Sequence, residues 1–321
     1  MTDRIAIATV PLGRSEVLAP RIALGAGNFG GIGSSPEWFG SGLDEAQAFE
    51  IMDAAWALGI THFDTADAYG GGRSETTIGR WMRSSGERPL LTTKTYNPMD
   101  AGADHGLAPE RVERQLHSSL ERLGVEAIDL YLTHEFDPEV DPALVIETLE
   151  RLREDGLVRA TGLSNYDAGQ LRATLDAGPV DALQNSYSLL VRGDEDEVIP
   201  LCAREQVAYT AYSPLAGGWL TGKYRRGRPY PAGSRMTQRP EGYSAFEEAA
   251  VFDGLERLDA LATQRGTSMA GLSLAWLLAQ RDLAAIVVGP MRPEHLEPVR
   301  EALEHPLDDL ERGLVGSMLA R

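Results

Sequence analysis

The chain has one cysteine, Cys202, in 321 residues. No intramolecular disulfide can form, a thiolate metal cage is excluded, and Cys202 itself reads as a small apolar residue on a helix. Basic residues are also scarce: 30 Lys and Arg stand against 48 Asp and Glu, for a formal net charge of −18. Phosphate binding needs clustered cations to displace counterions, so no nucleic-acid partner is expected. Met1 to Val10 carries charged residues and lacks the apolar core of a signal peptide, and no later run is long and apolar enough to span a bilayer. No membrane partner is expected either, and a cytoplasmic enzyme is the simplest class. No pair of histidines has metal-ligand spacing on a helix or hairpin, so no metal is expected.

What is present is a large apolar fraction, 43%, arranged in alternating strand and helix signals. Strands are expected near Ile22 to Ala26, Ile60 to Asp64, Leu90 to Thr95, Ile128 to His134, Val158 to Ser164, Ala182 to Ser186, Val207 to Ser213 and Ala285 to Gly289. Between them, patterns such as Val112, Leu116, Leu120 and Leu123 put apolar side chains on one helical face. Eight strands mostly separated by helices predict an α/β fold, a (β/α)8 TIM barrel around a parallel sheet, with 1–321 as one domain. A doubly wound sheet is the competing architecture, but no Gly-x-Gly-x-x-Gly run opens a helix after the first strand. Three segments lie outside the repeat. Arg4 to Leu18, with Pro11-Leu12-Gly13, reads as an N-terminal hairpin or plug at the barrel bottom. Pro214 to Tyr243 reads as a long loop after strand 7, of a length that is usually functional or mobile. Pro306 to Arg321 reads as a C-terminal helix.

The chemistry-bearing residues fall at strand ends. Phe63-Asp64-Thr65-Ala66-Asp67-Ala68-Tyr69-Gly70 ends an apolar run in a carboxylate with a phenol five residues on, Lys94 closes Leu90 to Thr93, and His134 closes Ile128 to Thr133. In a barrel these ends share one rim. Singly, each has a duller reading: a helix N-cap for Asp64, a solvated strand end for Lys94, a core imidazole for His134 and a loop aromatic for Tyr69. Together they make an acid-base set suited to carbonyl reduction. A hydride acceptor needs a proton for the developing alkoxide, and a phenol near pKa 10 supplies it only if its anion is stabilised. Lys94 is expected to lower the Tyr69 pKa, Asp64 to hold the ammonium, and His134 to orient the substrate oxygen.

An ordered series of motifs runs through nearly the whole chain. It comprises Leu24-Gly25-Ala26-Gly27, the Phe63 to Gly70 run with Ser74-Glu75 beyond it, Thr93-Lys94, and Leu132-Thr133-His134 with Asp137. It continues with Gly162-Leu163-Ser164-Asn165, Gln184-Asn185-Ser186-Tyr187, Ala211-Tyr212-Ser213-Pro214-Leu215 and Leu220-Thr221-Gly222-Lys223. In this succession the chain resembles the aldo-keto reductases, and the segment after Pro214 is more similar to their bacterial and channel-β-subunit branches than to the aldose reductase branch. The resemblance implies an NAD(P)H-dependent oxidoreductase acting on a small-molecule carbonyl substrate, an aldehyde, ketone or ketosugar, with the same four roles at Asp64, Tyr69, Lys94 and His134.

The later strand ends read as a dinucleotide cradle. Ser164, Asn165 and Gln184 offer groups that suit a nicotinamide carboxamide, and Tyr212 offers a stacking plane. Ser164-Asn165 also reads as a plain helix cap and turn. Leu220, Gly222 and Lys223 are placed at the pyrophosphate, with Ser213, Leu215 and Gly289 in the same cradle, and the loop beyond them would act as a clasp. A solvated insertion is its plainer reading. After strand 8, Arg292 is the candidate partner for a 2′-phosphate or else a surface arginine at a helix start. His295 stands where the family often has an arginine, and Val299 where it usually has asparagine. The family habit implies NADPH, with NADH as the alternative. Phe29, Trp38, Tyr96 and Trp219, with Phe39, are candidates to wall the substrate pocket, and Gly30 to Ser35 reads as a flexible segment beside it.

Two other functions fit part of the pattern. A Schiff-base aldolase would use Lys94 but leaves the Ser164, Asn165, Gln184 and Tyr212 set without a purpose. A non-catalytic nucleotide-binding regulatory subunit would not need all four reactive residues. Oligomeric state is not legible in these residues.

Overall fold

The computed structural model describes residues 4–102 and 104–319. Two short strands, β1 (Thr9–Pro11) and β2 (Leu18–Pro20), pair antiparallel ahead of the barrel. Eight strands follow: β3 (Ile22–Gly25), β4 (His62–Asp64), β5 (Leu90–Thr95), β6 (Ile128–Thr133), β7 (Val158–Ser164), β8 (Ala182–Ser186), β9 (Ala208–Tyr212) and β10 (Leu283–Val288). They pair in parallel, each with its sequence neighbour, and β10 closes on β3, so the sheet is the expected closed barrel. Helices α1 (Glu45–Leu58), α2 (Arg73–Ser85), α3 (Pro109–Leu123), α4 (Pro142–Glu154), α5 (Ala168–Ala177) and α6 (Val198–Glu205) fill the first six connections between barrel strands that carry a full helix. The last connection holds α7 (Arg235–Gln238), α8 (Ala249–Arg265) and α9 (Met269–Leu278), and α10 (Glu297–Glu304) and α11 (Asp309–Ser317) follow the barrel. The expected terminal helix is thus shorter, and residues 320–321 lie outside the described chain, as do residues 1–3 ahead of the expected hairpin.

Period-2 alternation along the strands sorts side chains between barrel interior and helix layer. The inside of the barrel bottom is lined by small and branched residues, Leu130, Leu132, Ala160, Ala182 and Ala208, and the hairpin packs Leu12, Val17 and Ala19 against them. Leu12 is 1% exposed, which makes the hairpin the plug its Pro-Leu-Gly signal suggested. Along β5, Thr92 and Lys94 share one face, while Thr93 and Thr95 turn to the helix side, where they bond Glu75 and Asp67. Parallel pairing sets Asp64 beside Thr92 and Lys94 beside Leu132, so the titratable strand ends stack at the carboxyl-terminal rim.

Candidate active site

Asp64 and Lys94 lie on neighbouring strands and meet inside the rim. Lys94 Nζ donates to Asp64 Oδ1 at 2.6 Å and to the Thr65 carbonyl at 2.9 Å. Both side chains are almost fully buried. The other carboxylate oxygen of Asp64 accepts from Gln184 Nε2 at 2.8 Å, a tie across the barrel that the sequence did not suggest. Burial alone would lower the Lys94 pKa, but Asp64 and Tyr69 outweigh it and leave it raised.

Tyr69 reaches the same point from the loop after β4. Lys94 Nζ lies 5.2 Å from the centre of its ring, and the His134 ring meets it edge-on at 5.4 Å between centroids. A sharp turn directly after Tyr69 aims the ring. Gly70 has φ +60, and a Cβ there would come within 2.7 Å of the Gly30 carbonyl oxygen, so only glycine fits. Gly27 lies against the ring itself: a Cβ at that position would stand 3.6 Å from Tyr69 Cε2. Lys94 was expected to bring the phenol pKa down. The net direction is upward, because burial outweighs the cation, and the Lys94 charge only limits the rise.

His134 is buried with a pKa pushed down to about 3, first by desolvation and then by the Lys94 charge, so its imidazole is neutral near pH 7. Its Nδ1 is buried and has no hydrogen-bond partner among the described residues. His62, one layer below Asp64, bonds Thr92 Oγ1 through Nε2 at 2.7 Å. Burial lowers its pKa to about 4. In both cases the unfolded chain takes up a proton below pH 6.5 that the folded protein refuses, so the stability they contribute is present above 6.5 and is lost toward pH 4 and 3. Asp67, raised to about 7 chiefly by burial and then by Glu75, acts with the opposite sign, its contribution fading as pH rises through that value. The His62→Gln variant should therefore lose less stability on acidification than the parent, the gap changing by about 1.4 kcal/mol per pH unit between pH 6 and pH 4.5 in urea titrations. A gap independent of pH would discard this account.

The residues expected to form a cradle gather on the other side of the rim, and several are already engaged. Asn165, at φ +62, donates through Nδ2 to the His134 carbonyl at 2.9 Å and accepts the Tyr212 hydroxyl at 2.6 Å. Gln184 has its NH₂ on Asp64, which leaves its carbonyl oxygen for a ligand, and Ser164 Oγ accepts from Asn165, which leaves its proton free to donate. Ser213 (φ 52), Ala216, Gly217, Gly218 and Gly222 all have positive φ. Such a run turns successive backbone N–H groups to one side, a geometry that suits phosphate. Leu215 is partly exposed beside this turn, and Leu220 is fully buried, so only its backbone is available. Lys223 is exposed and close enough to His295 that, with burial and Arg292, it depresses the imidazole pKa. Arg292 is exposed and donates Nε to His295 Nε2 at 3.1 Å, while Gly289 has open space beside it, the Gly25 oxygen lying 4.0 Å from where a Cβ would sit. Val299 is 1% exposed and belongs to the core. This donor set, hydroxyl, amide oxygen, aromatic plane, phosphate-turning backbone and two cations, fits a nicotinamide dinucleotide.

The substrate-wall candidates divide. Trp38 and Tyr96 are partly exposed at the rim. Phe29 is 1% exposed, and its backbone bridges to Leu43, so it is a packing residue and not a wall. Trp219 is 0% exposed. It sits in an aromatic cluster with Tyr224, Tyr230, Phe246 and Phe252 that anchors the long loop, and this burial removes it from the wall as well. The glycine-rich segment from Gly30 to Ser35, expected to be flexible, is stitched down by Gly33 N to Gly27 O at 2.7 Å and by Gly40 N to Gly30 O at 2.8 Å. Clefts lined by Glu16, Val17 and Arg159 lie at the opposite end of the barrel and contain none of the tetrad.

A set to which the sequence motifs assign no role stands behind β5. Glu75 accepts Thr93 Oγ1 at 2.6 Å and Arg122 Nε at 2.7 Å. Asp67 accepts Thr95 Oγ1 at 2.7 Å and the Ala68 N–H at 2.6 Å, and Arg111 donates to Thr95 Oγ1 at 2.9 Å. These buried bonds fix the backbone on both sides of Lys94 and just before Tyr69. The signal was there, in carboxylates inside an apolar motif and threonines alternating with the lysine.

A closed parallel barrel with a buried carboxylate and lysine, a half-buried tyrosine and a neutral histidine at its carboxyl-terminal rim fits an oxidoreductase of the barrel class. The aldo/keto reductase family model matches residues 21–318. Among curated relatives, the NADH-specific methylglyoxal reductase of Escherichia coli strain K12 is 32% identical, covering 96% of this chain and 97% of its own. An NADP(+)-named aldo-keto reductase, yakc, of Schizosaccharomyces pombe is 33% identical over 84% of this chain and 82% of its own. Of solved structures, the glycerol dehydrogenase of Gluconobacter oxydans superposes with a TM-score of 0.83 at 25% identity, covering 98% of this chain and 96% of that one. The chain belongs to the aldo/keto reductase family and is an NAD(P)H-dependent oxidoreductase of carbonyl compounds. Among the described residues no helix is long and apolar enough to cross a membrane.

Proposed function

We propose that the whole chain, 1–321, acts in the cytoplasm as one barrel domain that reduces an aldehyde, ketone or ketosugar to the alcohol, with Tyr69 as proton donor. The observation that carries this reading is the convergence of Tyr69, the buried Asp64–Lys94 pair and the neutral His134 at one point of the rim. A bound reduced nicotinamide supplies the hydride to the carbonyl carbon. His134, neutral, donates a ring N–H to the carbonyl oxygen and orients it. As the carbonyl π pair moves onto oxygen, Tyr69 passes its proton there, and the phenolate left behind is held by the Lys94 ammonium. Asp64 keeps that ammonium in place. In the oxidative direction the same groups return the proton to Tyr69. Ser164, the Gln184 oxygen and Tyr212 would hold the nicotinamide end, and the backbone from Ser213 to Gly222 the pyrophosphate. The Schiff-base alternative needs a neutral amine at Lys94, and an ion-paired ammonium with a raised pKa argues against it.

The test is a fluorescence titration of the purified protein with NADPH and NADH, followed by absorbance at the reduced-nicotinamide band on adding an aldehyde panel. Binding with aldehyde-dependent oxidation is expected. No binding of either nucleotide would overturn the reading.

For the nucleotide, the proposal is NADPH, read through Arg292, which is exposed and bonds His295. A guanidinium opposite a 2′-phosphate makes a charge-assisted contact that NADH cannot make. Arg292→Ala should raise the Kd for NADPH about tenfold and that for NADH less than twofold, a charged hydrogen bond being worth about 1.5–3 kcal/mol. Equal losses for both would move the determinant elsewhere.

A further inference from the structure

Glu135 follows His134 directly and stands at the same rim. It is partly buried, and its only described hydrogen bond is from Asn165 Nδ2 to Oε1, at 3.3 Å. That amide also holds the His134 carbonyl, and its oxygen takes the Tyr212 hydroxyl. The carboxylate is therefore tied into the strip joining the substrate-orienting histidine to the stacking tyrosine. Among the described residues it forms no ion pair, while the acidic neighbours Asp64 and Asp137 are engaged elsewhere. Asp64 is on Lys94, and Asp137 accepts from Leu107 N and Glu139 N. The groups that share its field are phenols, Tyr69, Tyr96, Tyr166 and Tyr212, drawn from four different strand ends. Through Asn165 the carboxylate stands one side chain away from both the His134 carbonyl and the Tyr212 hydroxyl, at the pocket mouth. Burial pushes its pKa up, and no carboxylate among the described residues adds to the rise.

An unpaired carboxylate at the pocket mouth acts on whatever enters. Like charges at such a site repel, and salt reduces the repulsion at an open mouth. We propose that Glu135 is a specificity-determining residue that excludes carbonyl substrates bearing a carboxylate or phosphate and restricts the pocket to neutral or cationic ones. The proposal rests on the reductase reading above. It concerns the substituent that the pocket tolerates, while the tetrad decides only that a carbonyl is reduced.

The test compares 4-carboxybenzaldehyde with its neutral isostere 4-formylbenzamide, each with saturating nucleotide, and takes the ratio of kcat/KM within each protein. The parent should favour the neutral aldehyde by about tenfold or more, through KM, and added salt should narrow that preference. Glu135→Gln, which keeps shape and the acceptor for Asn165, should bring the ratio near unity, and Glu135→Lys should invert it. A ratio unmoved in both variants, with the amide substrate still reduced, overturns the charge selection and leaves the reductase intact. A parent protein that oxidises nucleotide with neither aldehyde overturns both.

Discussion

Tyr69→Phe is expected to lower aldehyde turnover by about 10³-fold while leaving the Kd for NADPH within about twofold. The size follows from what a positioned general acid contributes, about 10²–10⁴ in rate. The separation of turnover from binding follows from geometry. The Tyr69 ring stands between His134 and Lys94, on the acid side of the rim, while the residues suited to the nucleotide, Ser164, Gln184, Tyr212 and the turn from Ser213, lie on β7 to β9. Phe keeps the ring against Gly27 and the edge-on contact with His134, so the loop from Ala66 to Gly72 should not move. Only the hydroxyl is lost, with its proton and its bond to Lys94. The upward shift of the phenol sharpens the expectation: at pH 7 the hydroxyl is fully protonated, as a donor for reduction must be, and the reverse reaction should rise toward alkaline pH as the phenolate forms. Single-turnover absorbance changes with equilibrium nucleotide titration check both halves. Retained turnover in the variant removes Tyr69 from the chemistry.

Much of this site was legible because it lies at strand ends. A strand that buries both faces reads as an apolar run, and the residue that breaks the run marks the rim, as Asp64, Lys94 and His134 do. The barrel followed from the same run lengths, and each expected strand overlaps the observed one within a few residues. What was not legible depends on packing between distant segments. Trp219 and Phe29 look like pocket walls in sequence because they follow strands, but whether such an aromatic faces the mouth or the core is decided by partners such as Phe246, Phe252 and Leu43, far away in the chain. The Gln184 to Asp64 bond spans 120 positions and crosses the barrel, so no local pattern announces it. The sign of the Tyr69 shift was misread for a similar reason: a neighbouring cation can be inferred from sequence, but the competing desolvation exists only in the folded rim.

Lys94→Met should cost about 3–5 kcal/mol of folding stability in addition to abolishing most activity, because it strands a charge in a dry site. Asp64 is 2% exposed and would keep only the Gln184 amide as a partner. Loss of rate alone would not separate a catalytic ammonium from a structural one, since a collapsing rim also stops turnover. The double variant Asp64→Asn with Lys94→Met makes the distinction. It removes both charges, so the desolvation penalty disappears and urea unfolding should recover most of the stability lost in Lys94→Met, a coupling well beyond the few tenths expected of independent sites. Activity should not return, because nothing then holds the Tyr69 phenolate. If stability and turnover recovered together, the pair would be a folding element that happens to adjoin the reaction. If the single variant were as stable as the parent, the buried ion pair would not be what holds this rim.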